Sequence, residues 1–213
     1  DAPVAPVTQK GLFGFGEYSE RTSITNLINS SGVVASDTSG VGTARSVLAA
    51  STYGTDKAII GYGTTGSNSN LSNLVSNSGV VASDTTGVGS ARLGLAAASY
   101  DGSDKAIFGF GNTGSITSIT NLVGNNGVIA SDTSGVGTAR NYLAAASYGG
   151  DKALFGYGAT GSADTTRSSL TNKVSNSGVV ASDTTGVGTA RLLLAAAKYG
   201  GDKAVFGYGG YYD

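Results

Sequence analysis

Short runs of alternating large and small residues, each closed by glycine, recur along this chain at nearly constant distance. The clearest is Lys57-Ala58-Ile59-Ile60-Gly61-Tyr62-Gly63. It returns at residues 105–111, 152–158 and 203–209, with an earlier copy at 10–16, at spacings of 47, 48, 47 and 51 residues. Period-two patterning of this length, bounded by turn residues, predicts a half-buried β-strand. Alternation places Ala153, Phe155 and Tyr157 on one face and Leu154, Gly156 and Gly158 on the other. One face is bulky and the other nearly bare, so the aromatic face of one unit is expected to rest on the glycine face of its neighbour.

Three further blocks keep step with this strand, here termed B. Strand A, Leu-Ala-Ala-Ala-x-Tyr, precedes it; strand C runs through Thr-Asn-Leu-Val-Ser; strand D is Val-Val-Ala-Ser-Asp. The distance from Asn26, Asn73, Asn121 and Asn172 to the next of Arg45, Arg92, Arg140 and Arg191 is always 19 residues. Tyr148-Gly149-Gly150-Asp151 and Asn176-Ser177-Gly178 supply the positive-φ residues that tight hairpins need. Four short strands in about 47 residues is a propeller period. The expected fold is therefore all-β: a small β-propeller of four-stranded antiparallel blades, four in number, with five as the alternative count. It would occupy residues 10–209 as one domain, between an extended segment at 1–9 and a tail at 210–213.

The order along the chain is B, C, D, then three complete units, then A and B. A strand A near Leu194 that joined the strands of residues 10–37 would close the ring and leave one B strand over. That surplus strand is either displaced to the surface, part of an incomplete blade, or an assembly device.

Composition fits this reading, with 35 Gly, 2 Pro and 39% hydrophobic residues. Thirteen basic against 14 acidic residues form no tract of the kind phosphate backbones require, so nucleic acid is not an expected partner. No apolar run approaches the roughly 18 residues of a membrane-spanning helix, and no membrane insertion is expected. The start at Asp1-Ala2-Pro3 without Met fits a processed chain, loss of a secretory signal being one ordinary cause.

Cys and His are absent, which removes the thiol nucleophile, the commonest general base and the commonest metal ligand. No catalytic residue, metal or cofactor is expected. Asp37, Asp84, Asp132 and Asp183 each open Asp-Thr-(Thr or Ser)-Gly, a turn sequence with Gly at the positive-φ position. The Asp-Lys pairs at 56–57, 104–105, 151–152 and 202–203 read as solvated hairpin ends. The Gly-x-Gly blocks lack the third glycine and the following helix of a dinucleotide site. Asn29 and Asn70 open glycosylation-type triplets, a pattern frequent by chance in Ser-rich sequence.

Arg45, Arg92, Arg140 and Arg191 are the polar set with two readings. They form either a cationic ring that binds carboxylate or sulfate groups, or a repeated clamp bonded to carbonyls of adjacent blades. The B-to-C connections at residues 17–21, 64–68, 112–115 and 159–169 differ most among copies, and variable loops on a repeated scaffold commonly carry binding specificity.

The unit resembles the kelch repeat: an Arg before a small-residue strand, a tight hairpin, a hydrophobic strand ending in glycines, then two outer strands. It has Gly-Tyr-Gly or Gly-Phe-Gly where kelch has a glycine doublet, and no Trp. The stretch Asn-Leu-Val-Ser-Asn-Ser-Gly-Val-Val-Ala-Ser-Asp is also similar to repeats in virion proteins of marine bacteriophages. These resemblances imply a non-enzymatic structural or adhesion protein on a virion or outside the cell. Its partners would be itself, other structural proteins or a cell-surface glycan. A secreted lectin-like propeller with several weak saccharide sites is the alternative.

Overall fold

The computed structural model describes residues 11–161 and 166–210. Residues 1–10, and with them Lys10 and the expected extended segment, lie outside the described residues, as do 162–165 of the long B-to-C connection and the tail from 211.

Five small antiparallel sheets follow one another along the chain. The first pairs β1 (Gly11–Glu17) with β2 (Arg21–Ile28). The next three are A-B-C sheets: β3 (Ala49–Tyr53), β4 (Lys57–Gly61) and β5 (Ser72–Val75); β6 (Ala96–Tyr100), β7 (Lys105–Gly109) and β8 (Thr120–Val123); and β9 (Ala144–Tyr148), β10 (Lys152–Gly156) and β11 (Thr171–Val174). The last pairs β12 (Ala195–Tyr199) with β13 (Lys203–Gly207). The protein is all-β, and each B strand lies where the repeat predicts it.

Two expectations need correction. The D segments at residues 33–37, 80–84, 128–132 and 179–183 form isolated bridges to strand C instead of a fourth ladder strand. The reason is strand C's own asparagine. Asn73 inserts its side chain between the two bridges Val75↔Val81 and Ser72↔Thr85, and donates Nδ2 to Ala82 O (3.0 Å) in place of a backbone amide. Nor does strand A of the C-terminus close onto the N-terminal strands: β12 pairs only with β13, and β1 only with β2. β12 ladders with β13 over five register pairs, from Ala195↔Gly207 to Tyr199↔Lys203, and its face packs on β9, at the end of the stacking order opposite β1.

The sheets stack face to face in chain order, with β3 against β6, β6 against β9 and β9 against β12. As expected, aromatic meets glycine. Phe108 lies so close over Gly61, and Phe155 over Gly109, that a Cβ on either glycine would sit 3.0 Å and 2.7 Å from the ring. The other half of the facial pattern differs from expectation. Tyr62, Phe110 and Tyr157, the central residues of the Gly-aromatic-Gly blocks, adopt φ of 64°, 64° and 65°. This left-handed step turns each ring to the opposite face from the residue two earlier, Ile60, Phe108 and Phe155 respectively. Phe108 thus packs back against Tyr62 (centroids 5.1 Å apart), whereas Phe110 packs forward against Phe155 (5.2 Å). The third sheet thus contributes one ring to each side, the second has Ile60 in place of the backward ring, and the buried residues form successive clusters between sheets.

A backbone ladder runs along the stack. Gly94 N donates to Val47 O (3.1 Å), Tyr142 N to Gly94 O (2.7 Å), and Leu193 N to Tyr142 O (2.9 Å). All four residues have positive φ. The hairpin turns predicted at Gly149, Gly150 and Gly178 have φ of 63°, 82° and 82°. The Asp-Thr-Thr/Ser-Gly turns differ: positive φ falls two residues later, at Gly42, Gly89, Gly137 and Gly188. Gly87 is glycine for another reason, since a side chain there would overlap the Asn70 carbonyl.

Candidate binding face and the arginine clamps

Arg92 shows how the recurrent polar residues are used. It enters from the segment preceding β6 and is fully buried. Its Nε donates to Phe110 O (2.9 Å), Nη1 to Ser90 O (3.1 Å) and Nη2 to Asn121 Oδ1 (2.6 Å). The guanidinium lies 4.2 Å from the centroid of Tyr62 in the preceding sheet. Asn121 in turn donates Nδ2 to Ala130 O (3.0 Å) and Asp132 Oδ1 (2.9 Å). Asp132 also accepts from the Ser90 hydroxyl (2.7 Å) and lies 4.0 Å from Arg92 Nη1. One side chain therefore ties the lead-in of strand A to strands B and C and segment D, and seats the unit on its neighbour.

Arg45 and Arg140 repeat the Nη1 and Nη2 bonds, with Asn73 and Asp84 and with Asn172 and Asp183, while their buried Nε atoms make no hydrogen bond among the described residues. They stack on Phe15 (4.9 Å) and Phe110 (4.7 Å). These three of the four expected ligand-binding arginines are wholly enclosed, with no surface for a ligand to touch. Arg191 is only partly buried. It lies over Tyr157 (4.7 Å) and donates Nη2 to Phe206 O at 3.4 Å.

Electrostatics follow the burial. Burial pulls Arg45, Arg92 and Arg140 below the usual guanidinium range, against the opposing pull of Asp84, Tyr62 with Asp132, and Asp183. Burial alone would raise Asp84, Asp132 and Asp183. Hydrogen bonds from Thr43, Ser90 and Thr138 and from the three asparagines, together with the adjacent arginine charge, outweigh it and hold all three below the ordinary carboxylate range. Sequence periodicity found these residues. It did not show that Asn and Asp belong to the arginine's own unit, since they lie 28 to 43 residues further along.

The Asp-Lys pairs sit at exposed hairpin ends as expected, except that Lys105 pairs with Asp101 (2.9 Å) and not Asp104. Asn70 donates Nδ2 to Gly87 O (3.3 Å) and Gly89 O (2.9 Å), holding the D-to-A segment. No group of three or more acidic side chains able to hold a metal occurs among the described residues. Nor, among them, is there a helix long and apolar enough to cross a membrane.

The B-to-C connections line one end of the stack, beside the strand A lead-ins. Ser46 bridges Thr64, Leu93 bridges Asn112, and Asn141 bridges Ala159. Adjacent connections are themselves linked, Asn68 donating Nδ2 to Asn112 O (3.0 Å). Their tips are open: Gly114, at φ 115°, has nothing within 4 Å of where a side chain would begin. Compared with models of known protein families and with curated proteins, the chain matches none.

Proposed function

We propose that this is a non-enzymatic structural or adhesion protein, a kelch-like propeller-type stack on a virion or outside the cell that presents its row of B-to-C connections to a binding partner. The division of labour between constant and variable residues carries this reading. The polar side chains common to the units (Arg92, Asn121, Asp132 and their counterparts) are consumed in joining strands and sheets. What differs between units lies along one end on a rigid backbone frame, with Thr65 to Ser67 and Thr113 to Ser115 exposed at the tips. The blade reading rests on strand A forming one edge of each of the last four sheets and meeting strand A of the next.

A cell-surface glycan is the partner class that the two uncharged, Ser/Thr/Asn-rich connections at 64–68 and 112–115 suit, because hydroxyl and amide groups match sugar hydroxyls and repeated weak sites gain by multivalency. The test is a glycan array and a cell-binding assay with the wild type and a variant whose exposed residues 65–67 and 113–115 are exchanged for Gly-Ser. Loss of binding with unchanged circular dichroism is the expected result. Undiminished binding by the exchanged variant, or turnover of a bound glycan, would overturn it.

A further inference from the structure

The two ends of the stack are halves of the joint that already holds it together. Within the stack, Phe108 and Phe155 are 0% exposed over Gly61 and Gly109; in the first sheet the equivalent Phe13 is 61% exposed, with no glycine beneath it. In the last sheet the equivalent of those glycines, Gly207, has nothing within 4 Å. A second knob and socket run the other way. Tyr53 and Tyr100 on strand A pack onto Gly127 and Gly178 in the C-to-D turn of the next unit. Their counterpart in the last sheet, Tyr199, is 53% exposed, and the first such turn has Gly32 with nothing within 4 Å. Around them Tyr208 is 93% exposed where Phe110 is 0%, and Val205 and Val34 are open where Ile107 and Ile129 are buried.

We infer that a second copy of this chain docks head to tail, with Phe13 of one copy over Gly207 of the other and Tyr199 over Gly32. The joint continues the sheet-to-sheet interface that repeats inside the chain, and each end supplies what the other lacks. Lys173 distinguishes this docking from completion of the last sheet by a foreign strand C. Leu27, Leu74 and Leu122 each lie beneath the glycine of the following C-to-D turn, whereas their counterpart is the exposed Lys173. A foreign strand C with its turn would bury that lysine; a docked face leaves it in solvent. Because the two surfaces differ, the contact is heterologous and propagates into rods, or into multi-chain rings where the stack curves. The inference deepens the structural reading above by naming a partner and a surface.

Phe13→Asp removes the knob and keeps the socket; Gly207→Leu fills the socket and keeps the knob, at a position with open space and ordinary φ. Sedimentation velocity should show the wild type growing with concentration in steps of its 20.9 kDa mass. Each variant alone should stay monomeric, and an equal mixture should stop at dimers, since only one competent pair of faces remains. Dimer formation in the mixture also shows that both variants are folded. Tyr199→Glu, on the opposite partner of the joint, should weaken it independently. A wild type that stays monomeric at all concentrations, variants that assemble like the wild type, or a mixture that fails to pair would overturn the inference. A monomer that still binds cells through its loops would sink this docking alone and leave the adhesion reading standing.

Discussion

Replacing Arg92 by Gln should destabilise the protein far more than the same change at Arg191. Arg92 donates three hydrogen bonds from a fully buried guanidinium, to Phe110 O, Ser90 O and Asn121 Oδ1, and stacks on Tyr62. Gln is too short to reach Asn121 and Phe110 together, so it leaves desolvated acceptors behind. Removing one member of such a buried charged network costs about 3–5 kcal/mol. Asp132, about a third exposed, keeps its water and adds little to that loss. With an m-value of about 2–3 kcal/mol per molar urea, the midpoint of unfolding should fall by about 1–2 M. Arg191 is partly exposed and makes one 3.4 Å contact, so Arg191→Gln should cost no more than about 1 kcal/mol. Urea titration followed by far-ultraviolet circular dichroism decides the matter. Equal midpoints for the two variants, or a larger loss at Arg191, would refute the clamp as the role of these residues.

The repeat supplies a second internal control. Gly109→Ala puts a methyl 2.7 Å from Phe155 Cζ and should cost about 1–3 kcal/mol by overpacking. Gly207→Ala meets nothing and should be neutral or gain about 0.5 kcal/mol from lowered backbone freedom; thermal melts of the two that shift alike would contradict the stacking register. Acid should unfold the protein through the clamps. Asp84, Asp132 and Asp183 have folded pKa values below the unfolded value near ~3.9. Their contribution is therefore complete above that value and is lost as pH falls through the folded ones. Urea midpoints should be level from neutral pH to about 4 and drop below it, with a shallower drop in Asp132→Asn; a midpoint that rises in acid would exclude this linkage.

Much of the fold was legible because period-two patterning and turn glycines act locally. The sequence placed all five B strands, the A and C strands, and the Phe-on-glycine packing correctly. The missed features are those in which one residue overrides a periodic rule. Tyr157 continues the alternation on paper, yet its left-handed backbone sends the ring to the other face. Asn73 reads as an ordinary strand residue, yet its amide takes the place of a ladder hydrogen bond and keeps segment D from pairing as a strand. For the site, spacing identified the four arginines but not the enclosure of Arg45, Arg92 and Arg140, because a constant interval of 19 residues fits both a clamp and an open ring.

The ends of the chain follow from the same argument. In a linear stack each unit is stabilised by its neighbours, so terminal units must either be capped with polar residues or joined to something. Among the described residues no C-to-D turn covers Lys173, the counterpart of Leu27, Leu74 and Leu122, and Phe13, Tyr199, Val205 and Tyr208 stand open on the outer faces. Lys173 is polar where no turn covers it, whereas the two outer faces keep the apolar knobs and bare glycines that form the joint between sheets inside the stack.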